Sequence, residues 1–143
     1  MNYEIIFKQE FKSIINKYDM KYLNVDKDEF AIVGKGFALI FMIHLDDIFI
    51  SYAMLNSHKE LEVYKFDSFI VEKFNAIDRE NIKEASTVEE RIKNRLKIIT
   101  SGLINHWDGL MKGDKNWVPE YLVYPLAGKP KKANKKLIDI KEI

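Results

Sequence analysis

The hydrophobic pattern of the chain begins with a helical stripe. Apolar residues recur at steps of three or four near the N-terminus, and lysine and glutamate side chains fill the positions between them. The stripe consists of Phe7, Phe11, Ile14, Ile15 and Tyr18. This spacing is typical of an amphipathic helix, and Asn2 is placed to cap its first turn.

Short apolar runs separated by turn residues follow the stripe. They occupy residues 22–25, 30–33, 37–43, 48–54 and 61–64. Runs of this length between Gly or Asp clusters predict an antiparallel meander of four to five strands. Residues 37–43 contain no polar residue, so we expect them to form a central strand that is buried on both faces. Residues 61–64 would form an edge strand.

Helical spacing returns after the strands. Apolar residues from Phe66 to Ile77 predict a second helix, which Asp67 or Ser68 would cap. Ser86 with Glu89 and Thr87 with Glu90 form two overlapping capping-box patterns, which predict that a long helix starts here.

The long helix is predicted from an apolar stripe that runs from Val88 to Leu110. Gly109 and Gly113 are competing stop signals, so the helix could end at either glycine. Residues 121–124 form an apolar stretch after a proline, which predicts a short strand or an extended cover.

Together these elements predict a single α+β domain over residues 1–128. An N-terminal helix precedes the antiparallel meander, and two helices follow it, one of them long and packed on the sheet. Residues 129–143 form a lysine-rich C-terminal tail. We expect a solvated, mobile linker over residues 129–136, and residues 137–140 alternate well enough to dock as a short strand.

Charge is distributed unevenly along the chain. The 23 basic and 22 acidic side chains leave a net charge of +1. Residues 1–90 hold 11 basic and 17 acidic residues, and residues 91–143 hold 12 and 5, so the two parts carry −6 and +7. The tail carries six lysines and two acids, which leaves −3 for residues 1–128. The sequence thus predicts an electrically two-ended molecule with a mildly acidic body and a basic tail.

Composition narrows the class of protein. A hydrophobic content of 47% excludes a disordered chain, and the absence of cysteine excludes disulfides and thiolate metal sites. The longest apolar run has seven residues, whereas a membrane-spanning helix needs about 20. The N-terminus lacks the apolar segment of a signal peptide. We therefore expect a cytoplasmic protein without contact to a membrane.

Candidate catalytic chemistry is sparse. Asp46 and Asp47 could bind a metal ion together with a histidine, but His44, His58 and His106 show no metal-ligand spacing. A two-residue turn explains the paired acids as well. We expect no enzyme, no metal and no cofactor, and keep a small metal-dependent enzyme as an alternative function.

The lysine-rich tail suggests a second alternative, a nucleic-acid accessory protein. Five of the eight residues from 129 to 136 are lysines, which would give salt-sensitive binding to phosphates. The tract contains no arginine and no aromatic residue on which a base could stack. These absences argue against nucleic acid as the partner.

One segment resembles a feature of bacterial immunity proteins. A predicted helix ends in Leu-x-x-Gly-Asp, and a Trp and a Tyr follow at short spacing. The matching residues are Leu110, Gly113, Asp114, Trp117 and Tyr121. The layout of residues 20–125 is also similar to several such families, which neutralise polymorphic toxins, including those of contact-dependent growth inhibition. The same five residues have a structural explanation too, in which Gly113 ends the helix and Trp117 packs on the core.

The resemblance implies a binding function. An immunity protein of this kind would bind a cognate toxin domain, expected to be nuclease-type and basic, and cover its active site or an adjacent site. Acidic residues in the loops of the sheet would steer such a partner. We expect the contact residues to be Asp26, Asp28, Glu29, Asp46, Asp47, Glu60 and Glu62. A homodimer is a further arrangement that the charge pattern permits.

Overall fold

An N-terminal helix precedes five strands that follow one another across a sheet. The computed structural model describes residues 2–138 and residue 143. The helices are α1 (Tyr3–Lys17), α2 (Asp67–Val71), α3 (Val88–His106), α4 (Asp108–Met111), α5 (Val118–Leu122) and α6 (Lys135–Ile138), with a 3-10 helix over Ala76–Arg79. The strands are β1 (Lys21–Asp26), β2 (Glu29–Gly34), β3 (Phe37–His44), β4 (Asp47–Leu55), β5 (Leu61–Lys65) and β6 (Lys131–Lys132).

The sheet is an antiparallel meander whose strands lie in the order of the chain. The predicted α+β class is therefore confirmed, with one strand more than the four or five expected. β3 pairs with β2 on one side and β4 on the other, as a central strand should. Its residues are buried on both faces up to Phe41, but Met42 is 41% exposed, contrary to the expectation for the whole run.

The first face of the sheet carries the large aromatic side chains and the helices. Phe37, Phe41 and the other odd-numbered residues of β3 point into this core. α1 contributes Phe7 and Phe11, whose stacked rings lie 4.4 Å apart and contact Phe41 at centroid distances of 5.2 and 4.7 Å. Phe7, Phe11 and Ile14 of the predicted stripe thus form the buried face of α1, while Ile15 is half-buried and Tyr18 follows the end of the helix. Asn2 caps the helix by accepting a hydrogen bond from the amide of Ile5 at 3.2 Å.

The second face of the sheet is lined by smaller side chains and is covered by the C-terminal segment. Ala31, Ala38 and Ala53 are fully buried there, and Leu137 packs against them with 1% of its surface exposed. Small residues on the strands let the covering segment approach the sheet closely. The core is therefore double-sided, although only the first face is covered by long helices.

Part of the tail predicted to be a mobile linker forms regular structure. Lys131 and Lys132 form β6, which pairs with Val63 and Glu62 of β5, so β5 is not an edge strand. The lysine side chains stay exposed while their backbone extends the sheet. Where a docked strand was expected over residues 137–140, the chain is helical in α6 up to Ile138, and residues 139–140 lie outside the described residues. The division of the chain at residue 128 stays a prediction.

α3 begins where it was predicted and ends earlier. Thr87 caps it, its Oγ1 accepting a hydrogen bond from the amide of Glu90 at 3.1 Å, which confirms the predicted N-cap. The capping box is only half formed, because the Glu90 carboxylate bonds to the hydroxyl of Thr87 and to Ser86 and not to the amide of Thr87. Ser86 donates to Glu90 and not to Glu89. Neither Gly109 nor Gly113 ends α3, because the helix stops at His106.

The early end of α3 is explained by Trp107. Its backbone leaves the helical region, and its buried indole Nε1 donates to the carbonyl of Ile70 at 3.0 Å. A continued helix would carry this ring away from α2. Gly113 ends the following short helix α4 instead, with a left-handed φ of 97°.

Two further local predictions are corrected. The stretch predicted as a strand or extended cover over residues 121–124 begins inside α5, where Pro119 occupies a position in the first turn that tolerates proline. The helix predicted from Phe66 to Ile77 is divided into α2 and the 3-10 helix, and neither Asp67 nor Ser68 caps α2, because both lie inside it. The Asp67 carboxylate instead accepts a hydrogen bond from the amide of Ile50 on β4. Within the part of the chain that the structure describes, every helix is too short or too polar to cross a bilayer.

Gly102 provides a test of the packing between α3 and the segment after α2. A β-carbon at this position would overlap the ring of Phe74. We expect Gly102→Ala to lower the free energy of unfolding by about 1–2 kcal/mol, because the ring must leave its place. Urea unfolding followed by circular dichroism measures the change.

Gly109→Ala is the matched control for that substitution. The three atoms nearest to its β-carbon would all belong to the side chain of Asp114, at ordinary contact distances of 3.4–4.0 Å. We expect it to be neutral or stabilising by up to about 1 kcal/mol, as alanine is in a helix. A stabilising effect of Gly102→Ala would contradict the packing of Phe74.

Candidate partner-binding surface

The meander separates the predicted contact acids into two groups. The turn between β1 and β2 and the turn between β3 and β4 lie at the same end of the sheet, because Glu29 pairs with Met42 and His44 pairs with Asp47. This end brings together five of the acids, which are Asp26, Asp28, Glu29, Asp46 and Asp47. Glu60 and Glu62 lie at the opposite end, beside the turn that joins β4 to β5. One surface can therefore include the first five and not the last two.

Two of the five acids are held by arginines from α3. The Nε of Arg91 lies 3.2 Å from a carboxylate oxygen of Asp46, and the guanidinium of Arg95 lies 4.0 Å from Asp47. All four side chains are partly exposed, so each pair contributes little to stability, about 0–1 kcal/mol. The pairs orient the turn and reduce its negative charge.

The other three acids make no ion pair with any described residue. Asp26 accepts a hydrogen bond from the amide of Lys27 at 2.7 Å, inside its own turn. Burial raises the pKa of the Glu29 carboxyl, and the negative charge of Asp26 raises it further. The charge available to a partner is therefore concentrated on the β1–β2 turn.

Large apolar side chains are exposed at the same end. Met42 and Phe49 pair across β3 and β4, and Glu29 pairs with Met42 from β2, so the three form one row on the second face. Phe49 is 40% exposed, and Leu45 in the adjoining turn is 67% exposed. Apolar anchors within a charged rim are characteristic of protein interfaces.

We call this region the hairpin-end surface. It consists of Asp26, Asp28, Glu29, Met42, Leu45, Asp46, Asp47 and Phe49. Sequence reasoning missed its apolar members, because Met42 belongs to a run that is otherwise buried, and Phe49 to one that is otherwise buried or half-buried. The signal that could have found Leu45 is its position directly between a predicted strand and two acids, which places it in the turn.

The backbone of Leu45 is unusual. Its φ of 56° lies in the left-handed region, which glycine adopts freely and which costs a leucine about 1–2 kcal/mol. The Leu45 side chain is exposed, so its burial does not offset this cost. The backbone carbonyl of Leu45 accepts a hydrogen bond from the hydroxyl of Tyr3 at 3.3 Å, which connects the turn to α1.

The histidines of the metal-enzyme alternative lie apart. His44 and His58 are exposed, at the end of β3 and in the β4–β5 turn. His106 ends α3 and bonds to Asp78. Among residues 2–138 and 143, no group of three His, Cys, Asp or Glu side chains is arranged to hold a metal ion.

Asp78 is a buried carboxylate that joins two elements. It is 1% exposed and accepts hydrogen bonds from Asn105 at 2.9 Å, from the Nε2 of His106 at 2.8 Å and from the amide of Asn75 at 2.8 Å. Burial acts to raise its pKa, but these donors together outweigh burial and lower the pKa below its usual value. Through these three hydrogen bonds, the Asp78 carboxylate connects the 3-10 helix to the last turn of α3.

The five residues of the immunity-like segment lie in or beside the core. Leu110, Trp117 and Tyr121 are buried, and the rings of the last two lie 4.8 and 5.4 Å from Phe66. The hydroxyl of Tyr121 lies 2.9 Å from the carbonyl oxygens of Lys65 and Ala127.

Gly113 and Asp114 shape the turn after α4. Gly113 has the positive φ described above, and Asp114 accepts a hydrogen bond from the amide of Asn116 at 2.8 Å. As the structural explanation of this segment predicts, Gly113 ends a helix and Trp117 packs in the core.

Comparisons of the chain with known protein families, with curated proteins and with solved structures find no match. The function must therefore be argued from the geometry of the chain itself.

The buried Asp78 carboxylate predicts a specific pH dependence of stability. Because its pKa is lower in the folded protein, ionisation of Asp78 stabilises the fold above about pH 4, and this contribution is lost as the pH falls through the folded pKa. We expect Asp78→Asn to lower the free energy of unfolding by about 2 kcal/mol at pH 7.

Urea unfolding at several pH values between 3 and 7 would measure this difference. The gap between wild type and Asp78→Asn should shrink toward the acid end. Glu80→Gln, two residues away and exposed, serves as the control and should leave stability unchanged. A gap that does not vary with pH would contradict the role of the ionised carboxylate.

Proposed function

We propose that this protein is a cytoplasmic immunity protein that binds and neutralises a cognate bacterial toxin domain without catalysing a reaction. The hairpin-end surface would make the contact and cover the active site of the toxin or a site beside it. The observation that carries the proposal is Leu45, a bulky apolar residue held exposed in a left-handed turn among five acids.

Leu45 is costly for the isolated protein in two ways. Its backbone is strained, and its side chain is largely exposed to water. Strained residues tend to occur at functional sites, where another interaction compensates for their cost. A partner that covers Leu45 together with Met42 and Phe49 would bury an apolar centre of three residues. In many interfaces a few such central residues contribute most of the binding free energy.

The surrounding acids favour a basic partner. Asp26, Asp28 and Glu29 have no internal ion pair among the described residues, so their charge can attract a toxin over distances near the Debye length. A nuclease-type toxin must bind phosphates and therefore presents basic residues around its active site. Acidic side chains beside an apolar anchor suit that site.

The immunity-like segment supports the proposal through the fold and not through the contact surface. Trp117 and Tyr121 are buried in the aromatic core, where a partner cannot reach them. Divergent contact residues on a shared scaffold would be expected of proteins that each recognise a different toxin. The hairpin-end surface is a suitable place for such variation because turns tolerate changes of sequence.

Co-expression tests the proposed function directly. The toxin domain encoded next to this gene would be produced in bacteria with and without the protein. We expect the protein to restore growth and to be isolated in a stable complex with the toxin domain. The proposal would be abandoned if growth were not restored and the purified proteins did not associate.

Leu45→Gly tests whether the hairpin-end surface makes the contact. Glycine suits the left-handed turn, so we expect the free energy of unfolding to stay within about 1 kcal/mol of wild type or to rise. Loss of the apolar anchor should weaken toxin binding by about tenfold or more, measured by isothermal titration calorimetry.

Leu126→Gly is the matched control, because Leu126 is similarly exposed, at 64%, but lies in the turn after α5. It should leave toxin binding unchanged. If Leu126→Gly weakened binding and Leu45→Gly did not, the contact would lie on the apolar surface after α5, and the assignment of the hairpin-end surface would be wrong.

A further inference from the structure

A pocket of about 580 Å³ opens on the helix-covered face of the sheet, between β4, α2, the 3-10 helix and α3. This volume falls within the range of about 300–1,000 Å³ that is common for small-molecule sites. Most of its wall is apolar. The apolar lining residues are Ile48, Ile50, Val71, Phe74, Ile98 and Ile99.

Parts of three distant chain segments form the walls of this pocket. Ile50 and Ile99 are buried and form its base, while Val71 on the rim is 44% exposed. Phe74 contributes its ring, which is placed there because Gly102 leaves room beside α3. The pocket therefore depends on the same close approach that Gly102 permits.

Two arginines line the pocket as well. The chain has only three arginines among its 23 basic residues, and two of them, Arg79 and Arg95, are found here. Arg79 donates to the carbonyl of Asn75 at 3.4 Å, and Arg95 approaches Asp47 only to 4.0 Å. Each guanidinium has five donors, so both have donors left for a ligand.

One acidic residue lines the pocket together with the two arginines. Asp67 lines the pocket, and its oxygen accepts a hydrogen bond from the amide of Ile50. Burial raises the pKa of this carboxyl. Among the lining residues, two arginines and one aspartate leave an excess of one positive charge, which a single negative charge on a ligand would balance.

We infer that this pocket binds a small amphipathic monoanion, a carboxylate with an aliphatic chain of medium length. The chain lies along Ile48, Val71 and Ile98, and the carboxylate is bound by Arg79 and Arg95. Guanidinium groups bind carboxylates through paired, charge-assisted hydrogen bonds, and the apolar wall removes the chain from water. None of the residues of the hairpin-end surface lines the pocket, but the two sites adjoin, because Arg95 also approaches Asp47 of that surface.

Octanoate is the probe for this site, with 1-octanol and octylammonium as matched uncharged and cationic compounds. Methyl NMR spectra of the full chain would be recorded during each titration. We expect octanoate to shift the methyl signals of Ile48, Val71 and Ile98 with a Kd on the order of 1 mM. Octanol should bind more weakly, and octylammonium most weakly of the three.

Arginine variants distinguish the contribution of charge to binding from that of the apolar wall. Arg79→Gln and Arg95→Gln should each weaken octanoate binding by about threefold to tenfold and leave octanol binding unchanged. Arg91→Gln is the control, because Arg91 lies one turn from Arg95 on α3 and does not line the pocket. It should bind octanoate as wild type does.

Three results would overturn the inference. The first is the absence of methyl shifts at the pocket with octanoate up to about 10 mM, ten times the expected Kd. The second is equal binding of octanoate and octanol, which would show that charge plays no part. The third is a loss of octanoate affinity in Arg91→Gln as large as that in Arg79→Gln and Arg95→Gln.

Discussion

The pairing register of β2, β3 and β4 is the constraint on which the rest of the structure depends. It places Phe37, Leu39 and Phe41 on the face that α1 and α3 cover, and Ala38 and Ile40 on the face that Leu137 covers. A slip of one residue would exchange the two faces. Large rings would then meet the close-fitting C-terminal segment, and alanines would leave space under the helices. The size difference between the faces therefore specifies the register.

The same register produces the hairpin-end surface. Met42 and Phe49 continue the small-residue face by one row toward the β3–β4 turn, where they stay exposed. The acids of the β1–β2 turn lie beside them, because the start of β2 pairs with the end of β3 in the antiparallel sheet. A surface with an apolar centre and an acidic rim thus follows from the meander, and Leu45 extends it onto the turn.

Folding redistributes the charge that is separated along the chain. The acidic first part and the basic second part meet where Arg91 and Arg95 approach Asp46 and Asp47. The tail joins the sheet through Lys131 and Lys132. The two-ended molecule expected from the sequence is therefore less polarised in space, because long-range pairing places opposite charges side by side. The acids of the β1–β2 turn, which form no ion pair within residues 2–138 and 143, retain the negative character.

The sequence by itself determined α1, the strands β1 to β5 and the start of α3, because burial of one face imposes a period of 3.6 or 2 on neighbouring residues. It did not determine the helix α5 or the strand β6, where the periodic pattern is short or absent. It also located five of the acids in turns that prove to adjoin. It did not determine where α3 ends, since that depends on a hydrogen bond between Trp107 and Ile70, far apart in the chain. The exposure of Met42, the strain at Leu45 and the pocket of Arg79 and Arg95 were likewise decided by the tertiary structure. Each arises from contacts between residues distant in sequence, which local periodicity does not encode.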